Sequence, residues 1–85
     1  MPRSLLGVQV PEKLPLQGLP QFQSCLQRVE KELAGLGRVF VRYSGTEKKA
    51  RILVEGPNES DVQNWAKDLS NALLSDLSPN KHASA

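Results

Sequence analysis

Arg38-Val39-Phe40-Val41-Arg42-Tyr43-Ser44-Gly45-Thr46-Glu47-Lys48-Lys49-Ala50-Arg51-Ile52-Leu53-Val54-Glu55 is the stretch around which the chain is organised. Val39, Val41 and Tyr43 alternate with Arg38, Phe40 and Arg42, and Ile52 and Val54 alternate with Arg51, Leu53 and Glu55. A period of two in β-branched residues predicts half-buried strands, here at 38–43 and 50–55. The loop between them, Ser44–Lys49, is longer than a two-residue hairpin turn, as expected of a loop with a task of its own. Residues 42–51 gather Ser44 and Thr46 hydroxyls, Gly45, and the cations Arg42, Lys48, Lys49 and Arg51. Guanidinium groups offer paired donors in a fixed fork, hydroxyls add further donors, and a glycine permits backbone amides to turn inward as an anion nest. Such a loop is suited to gripping a phosphate ester.

Outward from this stretch, residues 5–10 read as a first strand, with Leu6, Val8 and Val10 on one face and Pro11 ending it. Pro11, Pro15, Gly18 and Pro20 mark an extended connection. Pro20 suits the first turn of a helix, where its missing N–H costs nothing. Phe22, Cys25, Leu26, Val29 and Leu33 then form an apolar helical stripe, closed by Gly35 as a C′ residue with Leu36 folding back over the last turn. After the Gly56-Pro57 turn, Asn58 is an N-cap with Asp61 three residues on. Val62, Trp65, Ala66, Leu69, Leu73 and Leu77 form the second stripe. Cys25 and Trp65 read as core, Glu30, Lys31 and Glu32 as a solvated face, and residues 78–85 as a flexible tail.

The element order β-α-β-β-α predicts a two-layer α+β fold, a small, mostly antiparallel sheet with two helices packed on one face. At 85 residues, with 39% apolar and 24% charged composition, the chain is bounded to a single domain, residues 1–85, with a core at about 5–77. No apolar run approaches the ~20 residues needed to span a bilayer. Met1-Pro2-Arg3-Ser4-Leu5-Leu6 is too short and polar for a signal peptide. One cysteine permits no internal disulfide, which fits a cytoplasmic location. The net charge of +2 is too small to argue for nucleic acid by itself, but Arg38, Arg42, Lys48, Lys49 and Arg51 fall close together.

Arg42-Tyr43-Ser44-Gly45-Thr46-Glu47-Lys48-Lys49-Ala50-Arg51 resembles the phosphate-binding signature of the C-terminal domain of the α-D-phosphohexomutases. The flanks Gly37–Val41 and Ile52–Gly56 and the whole element order resemble that family too, over roughly residues 5–77. Within it the chain looks most like the bacterial phosphoglucosamine mutases, through Val8-Gln9-Val10-Pro11-Glu12-Lys13 with Pro15-Leu16, and Glu30-Lys31-Glu32-Leu33 leading into Gly37-Arg38-Val39. The resemblance implies a four-domain isomerase, an intramolecular phosphotransferase, that moves a phosphoryl group between O1 and O6 of a hexose. A phosphoserine, a magnesium site and a sugar loop then lie in the other domains. The fourth domain holds the phosphate that is not reacting, which makes Arg42, Ser44, Gly45, Thr46 and Arg51 the expected ligands. No catalytic residue, metal ligand or cofactor is expected in this chain, and it should be inactive alone. Its expected partners are a hexose phosphate and the other domains, with no membrane. The chain departs from the family at Lys48, where proline is usual; lysine leaves the loop freer.

Three other readings compete. The same role could be played in a phosphomannomutase or phosphoglucomutase. Alternatively, Arg38, Phe40, Arg42 and Leu53 on one sheet face could serve a small nucleic-acid-binding α+β module, although that face carries one aromatic and no RNA-binding motif. A plain interaction domain would show an apolar patch containing Phe40 and Leu53.

Overall fold

The computed structural model describes residues 2–77. Its elements are β1 (Arg3–Gln9), a short 3-10 turn (Leu16–Gly18), α1 (Pro20–Leu33), β2 (Arg38–Tyr43), β3 (Lys49–Glu55) and α2 (Glu59–Leu77). The predicted order and the α+β class stand. The first strand is shifted to an earlier start, β3 begins one residue earlier than expected, and the connection before α1 contains the 3-10 turn. The predicted tail, 78–85, lies outside the described residues.

The sheet has three strands in the order β1-β3-β2, both pairings antiparallel. The last strand in sequence is therefore the middle one in space. Flanked on both sides, it buries its inward residues Ala50, Ile52 and Val54 completely. The edge strands are covered less well, so Leu6 and Val8 on β1 and Val39 and Val41 on β2 stay half-buried against the same core. Helix α2 lies over β1 and β3, α1 lies over β2, and the helices pack on each other. Phe22, Val29 and Leu33 of α1 and Val62, Ala66, Leu69, Leu73 and Leu77 of α2 complete the core. Each such large apolar side chain, fully buried, contributes about 1.5–3 kcal/mol.

Caps fix the helix ends. The Asn58 Oδ1 accepts the Asp61 N–H at 3.2 Å, the predicted cap of α2. The start of α1 has no local cap, because Leu19 stands at its N-cap. Its Phe22 N–H instead donates to the Asp76 carboxylate on α2 at 2.8 Å, a cap supplied from 54 residues away. At the C-terminal end Ala34 is the C-cap, left-handed at φ 49°, and Gly35 follows as the expected C′ residue at φ 82°. The Leu36 N–H turns back to the Leu33 carbonyl at 2.8 Å, but its side chain is 58% exposed and does not cover the last turn as expected. Gly37 then passes so close to β3 that a Cβ there would run into the Glu55 carbonyl. Trp65 is half-buried, and its indole N–H donates to Glu32 of α1 at 2.8 Å. Glu32 is therefore a helix-to-helix tie as well as part of a solvated face.

Candidate phosphate-binding site

The face of the sheet without helices carries three rows of side chains set by the strand register. Arg3, Glu55 and Arg38 form one row, Leu5, Leu53 and Phe40 the next, and Gly7, Arg51 and Arg42 the third. In the first row Arg38 Nε meets Glu55 at 3.3 Å, so that charge is answered. In the third row Arg42 and Arg51 stand directly opposite each other, and neither guanidinium has an ion-pair partner among the described residues. Like charges placed opposite on neighbouring strands repel. A pair of forked donors without a carboxylate is also a ready site for an oxyanion.

A hollow of about 330 Å³ opens at this end of the sheet, lined by Arg42, Tyr43, Ser44, Gly45 and Arg51. Four of the five residues expected from the sequence thus surround one concavity, and Thr46 lies outside its lining. The loop is Ser44–Lys48, closed by the Ser44 N–H to the Lys49 carbonyl at 2.8 Å. Ser44 Oγ accepts the Thr46 N–H at 3.4 Å and the Glu47 N–H at 3.3 Å. A hydroxyl that accepts twice can still donate its own hydrogen to an anion. The inward-turned amide nest expected at Gly45 does not form. Gly35 is the glycine with positive φ among the described residues, and the Thr46 and Glu47 amides are directed at Ser44. Around Gly45 no atom lies within 4 Å of where a Cβ would stand, so its contribution is an uncovered backbone beside the hollow. Glu47 pairs with Lys49 at 3.8 Å and does not approach either arginine closely enough to neutralise it.

Three bonds join the loop to the connection that follows β1. The Val10 N–H donates to the Lys48 carbonyl at 2.9 Å, the Lys13 ammonium to the Ser44 carbonyl at 3.0 Å, and the Tyr43 hydroxyl to the Leu14 carbonyl at 2.6 Å. Burial pushes the Tyr43 phenol above its ordinary value, so the hydroxyl stays a donor. Tyr43 was expected to be an ordinary inward strand residue. The available signal was that a half-buried phenol seeks a polar partner.

On the far side of the Arg42–Arg51 row a second hollow, about 350 Å³, is lined by Leu5, Phe40, Leu53 and the same two arginines. Leu5 is 64% and Phe40 54% exposed, so an apolar patch does occupy the open face. A wider hollow of about 590 Å³ lies between the helices, but its cation Arg28 is bridged to Asp68 at 3.1 Å. Cys25 in its wall is held mainly by burial above its ordinary pKa, which disfavours the nucleophilic thiolate. Among the described residues no three His, Cys, Asp or Glu side chains cluster so as to hold a metal ion, and no helix is long and apolar enough to cross a membrane.

Residues 5–72 match the family described as the C-terminal domain of phosphoglucomutase/phosphomannomutase, and the chain belongs to that family. Among bacterial relatives it is similar to the phosphoglucosamine mutases. It is 42% identical over 76 residues to that of Desulfovibrio desulfuricans, covering 89% of this chain and 17% of the relative. Against that of Myxococcus xanthus it is 42% identical over 78 residues, covering 92% of this chain and 17% of the relative. The chain thus spans about a sixth of the length of these relatives. The fold resembles part of the Aspergillus fumigatus N-acetylphosphoglucosamine mutase solved in complex with GlcNAc-6P and magnesium. There the TM-score is 0.71 at 26% identity, covering 91% of this chain and 16% of that one.

Proposed function

We propose that this domain grips the non-reacting phosphate of a hexose phosphate through Arg42, Ser44, Gly45, Thr46 and Arg51, as the C-terminal part of a cytoplasmic phosphoglucosamine mutase. That enzyme interconverts glucosamine 6-phosphate and glucosamine 1-phosphate. The observation that carries the reading is the directly opposed, unneutralised Arg42–Arg51 pair beside the hollow closed by Ser44 and Gly45.

The chemistry asked of such a site is placement. Phosphoryl transfer is accelerated mainly by positioning and by electrostatic stabilisation. A phosphate held by two guanidinium forks anchors one end of the sugar while the other end reacts. Each charge-assisted hydrogen bond contributes about 1.5–3 kcal/mol. Domain closure over the bound substrate excludes water and so limits loss of the phosphoryl group to hydrolysis. The phosphoserine and the magnesium ion belong, in this reading, to the remaining length that the relatives have and this chain does not span. Among the described residues no side chains cluster as metal ligands, and in this reading the chain alone has no mutase activity.

An amide NMR titration of the chain with glucosamine 6-phosphate tests the reading, with glucosamine and single-stranded RNA as controls. One phosphate site supplies only about 4 kcal/mol, so a Kd on the order of 1 mM is expected. Shifts confined to residues 42–51 with the ester and with inorganic phosphate, but not with glucosamine, support it. A silent loop in the presence of the ester, or RNA-induced shifts across the strands, overturns it.

A further inference from the structure

We infer that Tyr43 and Lys13 are positioning residues of the phosphate site, acting through a strap, residues 10–15, that holds the Ser44–Lys48 loop in its binding shape. The inference rests on the phosphate reading above and extends it to Lys13, which does not line the hollow, and to the Tyr43 hydroxyl, which is bonded to the Leu14 carbonyl.

The strand order makes the strap necessary. β1 and β2 lie on opposite sides of β3, so the chain leaving β1 must cross the loop end of the sheet to reach the α1 side over β2. As it crosses it is bonded to the loop in sequence: Val10 to Lys48 at the β3 side, then Lys13 to Ser44 and Leu14 to Tyr43 at the β2 side. Both ends of the loop are therefore gripped by one segment. That segment is itself stiffened, because Pro11 and Pro15 fix φ at two of its positions. The loop has little else to hold it. Gly45, Thr46, Glu47 and Lys48 are all exposed, and their internal brace is the Ser44 hydroxyl with two long bonds. The Ser44 carbonyl is the one that Lys13 holds, so the tether acts on the residue whose side chain and amide shape the turn. Tyr43 lies between Arg42 and Ser44, and anchoring its hydroxyl fixes the backbone from which both project. Preorganisation of this kind raises affinity because less ordering remains to be done on binding.

The experiment uses the 85-residue chain with inorganic phosphate as the probe, comparing the parent sequence with Tyr43→Phe, Lys13→Met and Lys13→Arg. Tyr43→Phe removes no charge, so any effect on affinity cannot come from weakened long-range attraction. Loss of one positioning hydrogen bond is expected to raise the phosphate Kd about three- to tenfold in Tyr43→Phe and Lys13→Met, with Lys13→Arg close to the parent. Order parameters of the Gly45–Lys48 amides fall in the two weakened variants and not in the arginine variant. A bond that only stabilised the fold would lower the melting midpoint and leave the Kd of the folded population unchanged. Parent-like affinity in both Tyr43→Phe and Lys13→Met overturns the inference. If the parent chain does not bind phosphate, the functional reading fails, and the order parameters decide the strap separately: an unchanged loop in both variants overturns it.

Discussion

Arg42 and Arg51 face each other as a directly paired couple on neighbouring antiparallel strands, with Gly7 beyond Arg51 on the third. A glycine there leaves Arg51 with no directly opposed side chain on that side to offset the repulsion. The unliganded domain therefore carries an electrostatic cost that an anion removes. Arg51→Gln is expected to stabilise the unliganded chain by a few tenths of a kcal/mol, up to about 1 kcal/mol, the scale of cross-strand pair energies, because like charges directly opposite destabilise. Inorganic phosphate at about ten times its Kd stabilises the parent by about 1.4 kcal/mol and leaves the variant unmoved. Denaturant melts with and without phosphate, at matched ionic strength, measure both. A variant less stable than the parent, yet equally responsive to phosphate, would contradict this account of the pair.

Asp76 reaches from α2 to the Phe22 amide at the start of α1. It stands in for the polar side chain that Leu19 lacks, so removing it costs what a lost N-cap costs. Asp76→Ala should destabilise the domain by about 0.5–2 kcal/mol, and Asp76→Asn, which keeps an acceptor oxygen, by less. Helix content and urea melts test this, and equal losses from the two substitutions would show that the acceptor is not what matters.

Ala34 adopts a left-handed backbone with φ of 49°. A Cβ in that conformation costs about 1–2 kcal/mol. Ala34→Gly relieves it at the expense of a freer unfolded chain, for a net gain of about 0.5–1 kcal/mol. The opposite applies at Gly37, where alanine would drive a methyl into the Glu55 carbonyl and the β2–β3 pairing would have to shift. A melt series on Ala34→Gly and Gly37→Ala should move in opposite directions.

Alkaline pH removes stability through Tyr43 and Cys25. Burial raises the Tyr43 phenol from its ordinary 10.0 and the Cys25 thiol from 9.0, so the folded chain holds both protons more tightly than the unfolded one. The stabilisation is complete below the unfolded values. It is lost as pH rises through the folded ones. Melting midpoints are expected to be flat from neutrality to about pH 8 and to fall above about pH 9, the lower of the two ordinary values. Tyr43→Phe flattens the upper part of that fall, and an unaltered profile would remove Tyr43 as its source.

The local architecture was legible because its signals are local. Alternation in 38–43, the stripe from Phe22 to Leu33, and the Asn58 cap each declare themselves within a few residues, and all three appear in the structure. The convergence of Arg42, Ser44, Gly45 and Arg51 follows from the same hairpin. The central place of β3 could not be read, because two antiparallel pairings with β1 and β2 leave no mark on spacing. The contacts made across that topology were equally hidden. Asp76 at Phe22, Glu32 at Trp65 and Leu14 at Tyr43 join residues far apart in sequence through single polar atoms. The Leu36 and Gly45 expectations failed for another reason. Each assigned a side chain or amide to a motif by residue type, whereas backbone geometry sent Leu36 outward and turned the loop amides to Ser44.

The middle position of β3 also bears on the order in which the domain assembles. Its pairing with β2 closes a short hairpin, whereas its pairing with β1 joins Arg3 to Glu55 across most of the chain. Closing the longer span costs more chain entropy and comes late. The loop is thus drawn early, within the hairpin, while the segment that braces it arrives only when β1 docks. A nascent chain halted before that step would display the two arginines on an unbraced turn, so competence for the anion is acquired last, together with the closure of the sheet.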